Sequence, residues 1–204
     1  MAQPLPPEGI PPLVTLGHPR LAQPSALVPV GSIRKAAFQE RLAVLQRAMV
    51  EYAGLGIAAP QIGWFERFFL MKLVPPGPAE DEDAEPELLA WINPEIVGSS
   101  PEHNWAWEGC LSVPGLRGWI RRPAAVAVRG RNAQGERVSR EYTGWPARVF
   151  QHEYDHLDGM LFPYRVLDPR HLVSSAEMLN RDAWPPDWPA PHAGATPYGA
   201  VVPE

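Results

Sequence analysis

The segment His152-Glu-Tyr-Asp-His156 has the residue types and the spacing of a metal site. In an α-helix, side chains four positions apart lie on one face, one turn apart, so both imidazoles can reach the same ion. Glu153 then lies beside that ion, where its carboxylate can take a proton from a bound water. The pattern therefore predicts a hydrolytic metal centre on a helix.

Two histidines leave a third protein ligand to be found. One class of metalloproteases uses a His six residues after the second His, but Phe162 occupies that position. Another class uses a Glu further downstream, and Glu177, 21 residues after His156, is a candidate. The remaining candidate is Cys110, the only cysteine of the chain. A thiolate with two imidazoles leaves a fourth position open for water, as catalytic sites require.

Composition excludes several other classes of protein. The chain has 204 residues, of which 45% are hydrophobic and 20% charged, which suits one packed domain. A single cysteine excludes an intrachain disulfide. The net charge of −5 arises largely from the acidic stretch 80–87, and there is no basic stripe for nucleic acid. No apolar run reaches the roughly 18 residues of a membrane span, and the N-terminus lacks the features of a secretory signal.

Two helices and several strands must position these residues. Residues 32–53 are predicted as the first helix, with Ser32 as its N-cap and Gly54 at its C-terminal end. Its apolar stripe comprises Phe38, Leu42, Leu45 and Met49. A second helix is predicted to begin near Trp145 and to carry the His-Glu-x-x-His segment. A third is predicted to begin at Asp168 as N-cap, with Pro169 at the first helical position.

Strand-like runs lie between the first two helices, at 65–74, 88–97, 124–129 and 137–142. The last two flank a turn-rich linker at 132–135 and are predicted to form a hairpin. This order favours an α+β fold, with antiparallel β-sheets packed around the central helix and further helices at the N- and C-terminal ends.

Proline-rich segments mark the limits of the predicted domain. We expect residues 1–183 to form a single catalytic domain, with 75–87 as a surface insertion loop. Six of the 26 prolines lie within 185–204. Residues 184–204 are therefore predicted to be a C-terminal tail.

Three motifs together resemble the signature motifs of the peptide deformylases, in the same order. They are Gly54-Leu-Gly-Ile-Ala-Ala-Pro-Gln61, Glu108-Gly-Cys-Leu-Ser112 and Gln151-His-Glu-Tyr-Asp-His156. The resemblance covers roughly residues 10–175. It departs from the usual pattern at Ile57, where family members usually have Leu, and at Tyr154, where an aliphatic residue is more common.

The resemblance implies a role for each matching residue. Cys110, His152 and His156 match the metal ligands, and Glu153 matches the general acid and base. The amide of Gln61 and the backbone N–H of Leu111 match the groups that hydrogen-bond the formyl oxygen. Gly56 and Arg117 match residues of the substrate-binding cleft, and Glu108 resembles a supporting carboxylate, with Arg117 as one partner considered for it. The candidates for the apolar pocket of the methionine side chain are Ile57, Val149 and Trp145.

The function implied is removal of the N-formyl group from the N-terminal methionine of newly made proteins. Water activated by the metal would attack the formyl carbon while Glu153 takes its proton, and formate would leave. Iron(II) is the implied physiological ion, with zinc, nickel or cobalt able to substitute. The partners expected are N-formyl-Met nascent peptides and, transiently, the ribosome.

The setting expected is a cytoplasmic, bacterial monomer without nucleic-acid specificity or membrane association. Two alternatives stay open. One is a zinc peptidase with Glu177 as third ligand, and the other is a catalytically silent, deformylase-like protein that binds peptides.

Overall fold

The computed structural model describes residues 8–73, 86–185 and 187–204. The predicted insertion at 75–87 lies outside the described residues, except for Pro86 and Glu87. No helix in the described part of the chain combines the length and the apolar character needed to cross a membrane.

The first helix, α1, spans Ala36–Glu51 and is shorter than predicted. Its apolar stripe is confirmed, since Phe38, Leu42, Leu45 and Met49 are all buried. The predicted N-cap is wrong: Lys35 holds the cap position, and Ser32 ends a short 3-10 turn in which its hydroxyl donates to the Pro29 carbonyl.

The end of α1 also differs from the prediction. The left-handed residue after the helix is Ala53, with φ 52°, rather than Gly54. The Gly54 N–H donates to the Met49 carbonyl at 2.9 Å and closes the last turn. Gly54 is nevertheless required there, because a Cβ at this position would lie 2.8 Å from the Gly56 carbonyl oxygen.

The central sheet has five antiparallel strands in the order β1-β2-β3-β6-β7. The strands are β1 (Gly56–Ala58), β2 (Phe68–Leu73), β3 (Glu87–Ser99), β6 (Ala125–Arg131) and β7 (Arg137–Thr143). The four strand-like runs of the sequence therefore all form strands of this sheet. The predicted hairpin between β6 and β7 is confirmed, with Gly135 N–H donating to the Asn132 carbonyl.

Both faces of this sheet are covered by helices. Phe68 and Leu70 pack with α1, while the alternating residues Phe69 and Met71 pack with the second helix, α2. Successive side chains of a strand point to opposite faces, which explains the unbroken apolar run of β2. α2 spans Gly144–Leu157, as predicted to within one residue at its start.

A second sheet of four strands has the order β8-β5-β4-β9. Its strands are β4 (His103–Cys110), β5 (Val113–Pro123), β8 (Leu172–Ser174) and β9 (Val202–Pro203). None of these was predicted, because tryptophans, charged residues and glycines interrupt any simple alternation in β4 and β5. The α+β class with antiparallel sheets is confirmed.

The third helix differs from its prediction. Asp168 does cap a turn, accepting from Arg170 N–H, but Pro169–His171 is only a 3-10 turn and β8 follows at once. The C-terminal helical element that remains is a 3-10 segment, Glu177–Ala183.

The predicted C-terminal tail is part of the packed structure in its described residues. Ala193 is buried, and its carbonyl accepts a hydrogen bond of 2.8 Å from Trp107 Nε1. Val202 pairs with Trp105 and so adds β9 to the edge of β4. The described residues of this proline-rich segment therefore pack against β4.

Candidate metal centre and cleft

The three predicted metal ligands meet at one point. Cys110 lies at the end of β4, and His152 and His156 lie one turn apart on α2. One ligand atom from each lies within 4.8 Å of the others, and Cys110 Sγ is 3.2 Å from His156 Nε2. A thiolate and two imidazoles form a donor set that fits a divalent transition-metal ion.

Glu177, the alternative third ligand, is not part of this cluster. Its carboxylate accepts from Trp184 Nε1 at 3.2 Å and from Asn180 Nδ2 at 3.4 Å. Within 8–73, 86–185 and 187–204, the group formed by Cys110, His152 and His156 is the one set of three suited to a metal. Spacing along the chain could not separate the two candidates, whereas the structure places Cys110, and not Glu177, beside the two histidines.

Glu108 is a buried carboxylate that holds His152, one of the three candidate ligands, in place. His152 Nδ1 donates to it at 2.9 Å, Arg122 donates through Nε and Nη2 at 2.7 and 2.8 Å, and Arg148 donates through Nη1 at 2.5 Å. A carboxylate that holds one ring nitrogen of a ligand His leaves the other nitrogen directed at the metal. The considered pairing of Glu108 with Arg117 is therefore wrong.

The electrostatics of this network favour a charged Glu108 and a neutral His156. Burial alone raises the pKa of Glu108, but Arg122, His152 and Arg148 hold it well below its usual range. Burial lowers the pKa of His156 well below its usual value, and the nearby guanidinium of Arg122 lowers it further. His156 is thus unprotonated at neutral pH, the form in which imidazole binds a metal.

Glu153 lies beside the cluster and is only 4% exposed. Burial raises the pKa of Glu153 to about 7, although the nearby His152 and Arg122 act to lower it. Its Oε2 is buried without a hydrogen-bond partner among the described residues. A carboxyl group with a pKa near neutrality can both accept and return a proton at neutral pH, which is the property expected of the predicted acid and base.

The predicted oxyanion group, Gln61, lies next to the sulfur. Its Oε1 accepts from the Ala58 N–H at 2.8 Å, which fixes the amide so that Nε2 lies 3.5 Å from Cys110 Sγ. Leu111 follows Cys110 and lines the same cleft. The structure adds a contact that sequence did not suggest, because the Ser112 N–H points at Cys110 Sγ from 3.4 Å.

These groups line a cleft of about 330 Å³. Its lining includes the predicted residues Gly56, Gln61, Cys110, Leu111, Arg117, His152 and Glu153, together with Trp145 and Val149. Ile57 was predicted to bind substrate, but its side chain is buried in the cluster around α1 and is not part of the lining. Strand alternation explains the difference, since Gly56 faces the cleft and its neighbour must face away.

Arg117 lies across the cleft mouth from α2. Its guanidinium lies against Gly109, where a Cβ would be 2.8 Å from Arg117 Cζ. Its Nη1 donates to Ser175 Oγ at 3.1 Å, and its Cζ lies 5.7 Å from the centre of the Tyr198 ring. No ion pair of Arg117 is formed with the acidic residues that the structure describes. Tyr198 was missed from the sequence because it lies in a proline-rich segment without a motif.

The fold and site together define an α+β hydrolase built around a metal-binding helix. The chain matches the model of the family described as polypeptide deformylase over residues 10–171. It is 39% identical to peptide deformylase 2 of Nostoc sp. over 166 residues, which cover 81% of this chain and 91% of that relative. It is 40% identical to the peptide deformylase of Thermotoga maritima over 147 residues, covering 70% and 83%.

Solved structures agree with these relatives. A class I type b peptide deformylase from Acinetobacter baumannii superposes with a TM-score of 0.70 at 34% identity, covering 77% of this chain and 99% of that one. The peptide deformylase of Thermotoga maritima gives a TM-score of 0.67 at 35% identity, covering 78% and 99%. The chain belongs to the polypeptide deformylase family. Its activity is that of the family, hydrolytic removal of the N-formyl group from nascent peptides.

Proposed function

We propose that this chain deformylates N-terminal formyl-methionine with Cys110, His152 and His156 as metal ligands and Glu153 as general base and acid. The observation that carries this assignment is the position of Glu153, buried at the metal cluster with one carboxylate oxygen unpartnered among the described residues. A divalent ion bound by these ligands would lower the pKa of water and stabilise negative charge on the formyl oxygen.

Glu153 moves the proton in this mechanism. Its carboxylate takes a proton from the attacking water as the new C–O bond forms at the formyl carbon. The same group then gives that proton to the peptide nitrogen as the C–N bond breaks, so that formate and a free amino terminus are released. The raised pKa of Glu153 suits both transfers at neutral pH.

Gln61 and Leu111 stabilise the charge that develops during attack. Gln61 Nε2 lies beside Cys110 Sγ and is held there by the bond from Ala58 N–H to Gln61 Oε1. The Leu111 backbone N–H supplies the second donor. Donors fixed before the reaction act without reorganisation, and one such donor is typically worth about 3–4 kcal/mol of the barrier.

The peptide binds along the free edge of the central sheet. β1 pairs with β2 on one side only, so that the backbone of Gly56 can pair with an extended substrate on the other. The methionine side chain enters the cleft between Trp145 and Val149 on α2, both of which line it. A formyl carbon carries only hydrogen, so a narrow site at Glu153 excludes larger acyl groups.

Iron(II) is proposed as the physiological ion, with zinc, nickel or cobalt able to occupy the same Cys/His₂ site. A thiolate ligand beside iron is open to oxidation, so the iron form is expected to be sensitive to oxygen. The protein is proposed to act in the bacterial cytoplasm as a monomer, on N-formyl-Met nascent chains during transient contact with the ribosome.

The decisive experiment measures formate release from a formyl-Met peptide by protein loaded anaerobically with iron, nickel or zinc. We expect turnover in the iron and nickel forms, and its loss in Glu153→Gln. Bound metal without formate release would instead support the catalytically silent alternative. Cleavage of internal peptide bonds without formate release would support the peptidase.

A further inference from the structure

The chain continues past the family match, which ends at residue 171, and this continuation returns to the cleft. Residues 172–204 begin with β8 and end with β9, and Tyr198 between them lines the cleft that also contains Cys110 and Glu153. A residue outside the matched region therefore forms part of the wall that a bound peptide must pass.

The Tyr198 ring stands between two other cleft residues. Its centre lies 6.1 Å from that of Trp145, with the planes at 69°, and 5.7 Å from Arg117 Cζ. An edge-on aromatic pair and a cation–π contact both fix the ring without covering it. Tyr198 is 51% exposed and lines the cleft, so its side chain keeps surface that a ligand can contact.

The segment that carries Tyr198 is anchored on both sides. Before it, the Thr196 carbonyl accepts from Arg181 Nη1 at 3.0 Å, and the Ala193 carbonyl accepts from Trp107 Nε1. After it, Val202 pairs with β4 opposite Trp105. The ring is therefore held at the cleft by contacts on either side along the chain.

The geometry of an extended peptide determines which substrate residue can meet this ring. Side chains alternate along a strand, so the first and third residues face the same side, separated by about 6.6–6.8 Å. On the proposed function, the first side chain, methionine, lies against Trp145. Tyr198 lines the same cleft and its ring packs against Trp145, so it stands next to the methionine position on the side that the third side chain also faces.

We propose that Tyr198 is a specificity-determining residue that contacts the third side chain of the formyl-Met substrate and favours an apolar or aromatic residue there. This proposal rests on the proposed function. The open half of the ring offers apolar surface, and Arg117, which pairs with no described carboxylate, disfavours a basic residue at the same place. A substrate of only two residues does not reach the ring.

The test compares wild type with Tyr198→Ala on formyl-Met-Ala, formyl-Met-Ala-Ser and formyl-Met-Ala-Phe, using full-length, nickel-loaded protein. We expect KM for the Phe peptide to rise about three- to tenfold, the range of one aromatic contact. The Ser peptide should change less and the two-residue peptide least, and the effect should appear in KM rather than in kcat, since the contact is the same in ground and transition states. Tyr198→Phe should behave as wild type.

Tyr164→Ala is the matched control, because Tyr164 is similarly exposed, at 49%, but does not line the cleft. The second measurement is calorimetric binding of the product peptides Met-Ala and Met-Ala-Phe, with a tighter Kd expected for the latter only while Tyr198 is present. Equal losses on all three substrates, or no change on the Phe peptide, would overturn the proposal. If wild type releases no formate at all, the proposed function fails, and the calorimetric comparison alone then decides the role of Tyr198.

Discussion

The Cα of Gly56 lies directly against the side chain of Glu153. A Cβ at position 56 would be 2.8 Å from Glu153 Cγ and 2.7 Å from Cδ, closer than real Cβ atoms approach other atoms. The edge strand β1 can therefore pack this closely against the helix α2 only because residue 56 has no side chain. This contact places the proposed base beside the strand on which the substrate is proposed to pair.

Gly56→Ala should disable the enzyme without removing its metal. The methyl group must displace Glu153 or β1, and misplacing a catalytic group by about 1 Å can cost 100-fold. We expect at least that loss in kcat/KM, with metal content measured by mass spectrometry unchanged. Gly98→Ala is the control, since its Cβ would lie 3.7 Å from the Ala127 Cβ, an ordinary contact. Equal activity of the two variants would contradict the role given to Gly56.

Glu153→Gln should separate proton transfer from metal binding. The amide keeps the size of the side chain but cannot accept the proton, so kcat should fall by roughly 10²–10⁴. Metal content and the affinity for a product peptide should stay close to wild type. Retention of more than a tenth of wild-type kcat would show that another group moves the proton.

Metal retention should distinguish Cys110 from Glu177. Cys110→Ala removes one of three clustered donors, and we expect metal content after dialysis to fall to a small fraction of wild type. Glu177→Ala should keep its full metal content, because Glu177 bonds only to Trp184 and Asn180. The reverse result would favour the peptidase alternative.

Gln61→Ala should lower kcat by about 10²–10³, the typical loss of one oxyanion donor. The effect should appear in kcat more than in KM, because charge on the formyl oxygen develops only in the transition state. Because Gln61 Oε1 also accepts from Ala58 N–H, the thermal midpoint must be measured in parallel. A change in KM alone would indicate that Gln61 only holds the bound substrate.

Glu108→Gln should destabilise the protein in a pH-dependent way. The pKa of Glu108 is held well below its usual 4.5 in the folded state. Its stabilisation is therefore complete above pH 4.5 and is lost as the pH falls toward the lower, folded value. We expect the variant to lose about 3–5 kcal/mol in free energy of unfolding at pH 7, the cost of breaking a buried ion pair.

The difference in free energy of unfolding between wild type and Glu108→Gln should become smaller below pH 4.5. It is measured by urea unfolding of both proteins in the metal-free form. Glu95→Gln is the control, because the Glu95–Arg129 pair is more than half exposed and should be worth less than about 1 kcal/mol. A constant difference between wild type and Glu108→Gln from pH 7 to pH 3 would contradict the assignment of a charged Glu108.

The sequence by itself determined the elements whose signal is local. The stripe of α1, the position of α2 and the hairpin at 132–135 follow from periodicity and turn residues, and the structure reproduces them. It also determined the three motifs, and with them the family, because residue types at fixed spacing carry the chemistry of the site.

Other features depended on contacts between distant parts of the chain. β4 and β5 form a long hairpin that no alternation of apolar and polar residues predicted. Hydrogen bonds between β4 and β5, and between β4 and the C-terminal strand β9, stabilise this hairpin. A favourable cap residue did not fix the extent of a helix: Ser32 lies in a 3-10 turn before α1, and Asp168 caps a turn that β8 follows at once.

The site shows the same division between local and distant information. The spacing in the sequence places two histidines on one helical face. That Cys110, and not Glu177, lies next to them follows only from the approach of β4 to α2. Tertiary packing also buries Ile57 in the core, pairs Glu108 with Arg122 and Arg148, and places Tyr198 in the lining of the cleft. Periodicity reports which face a residue occupies within one element, whereas the identity of the group opposite depends on how elements pack against each other.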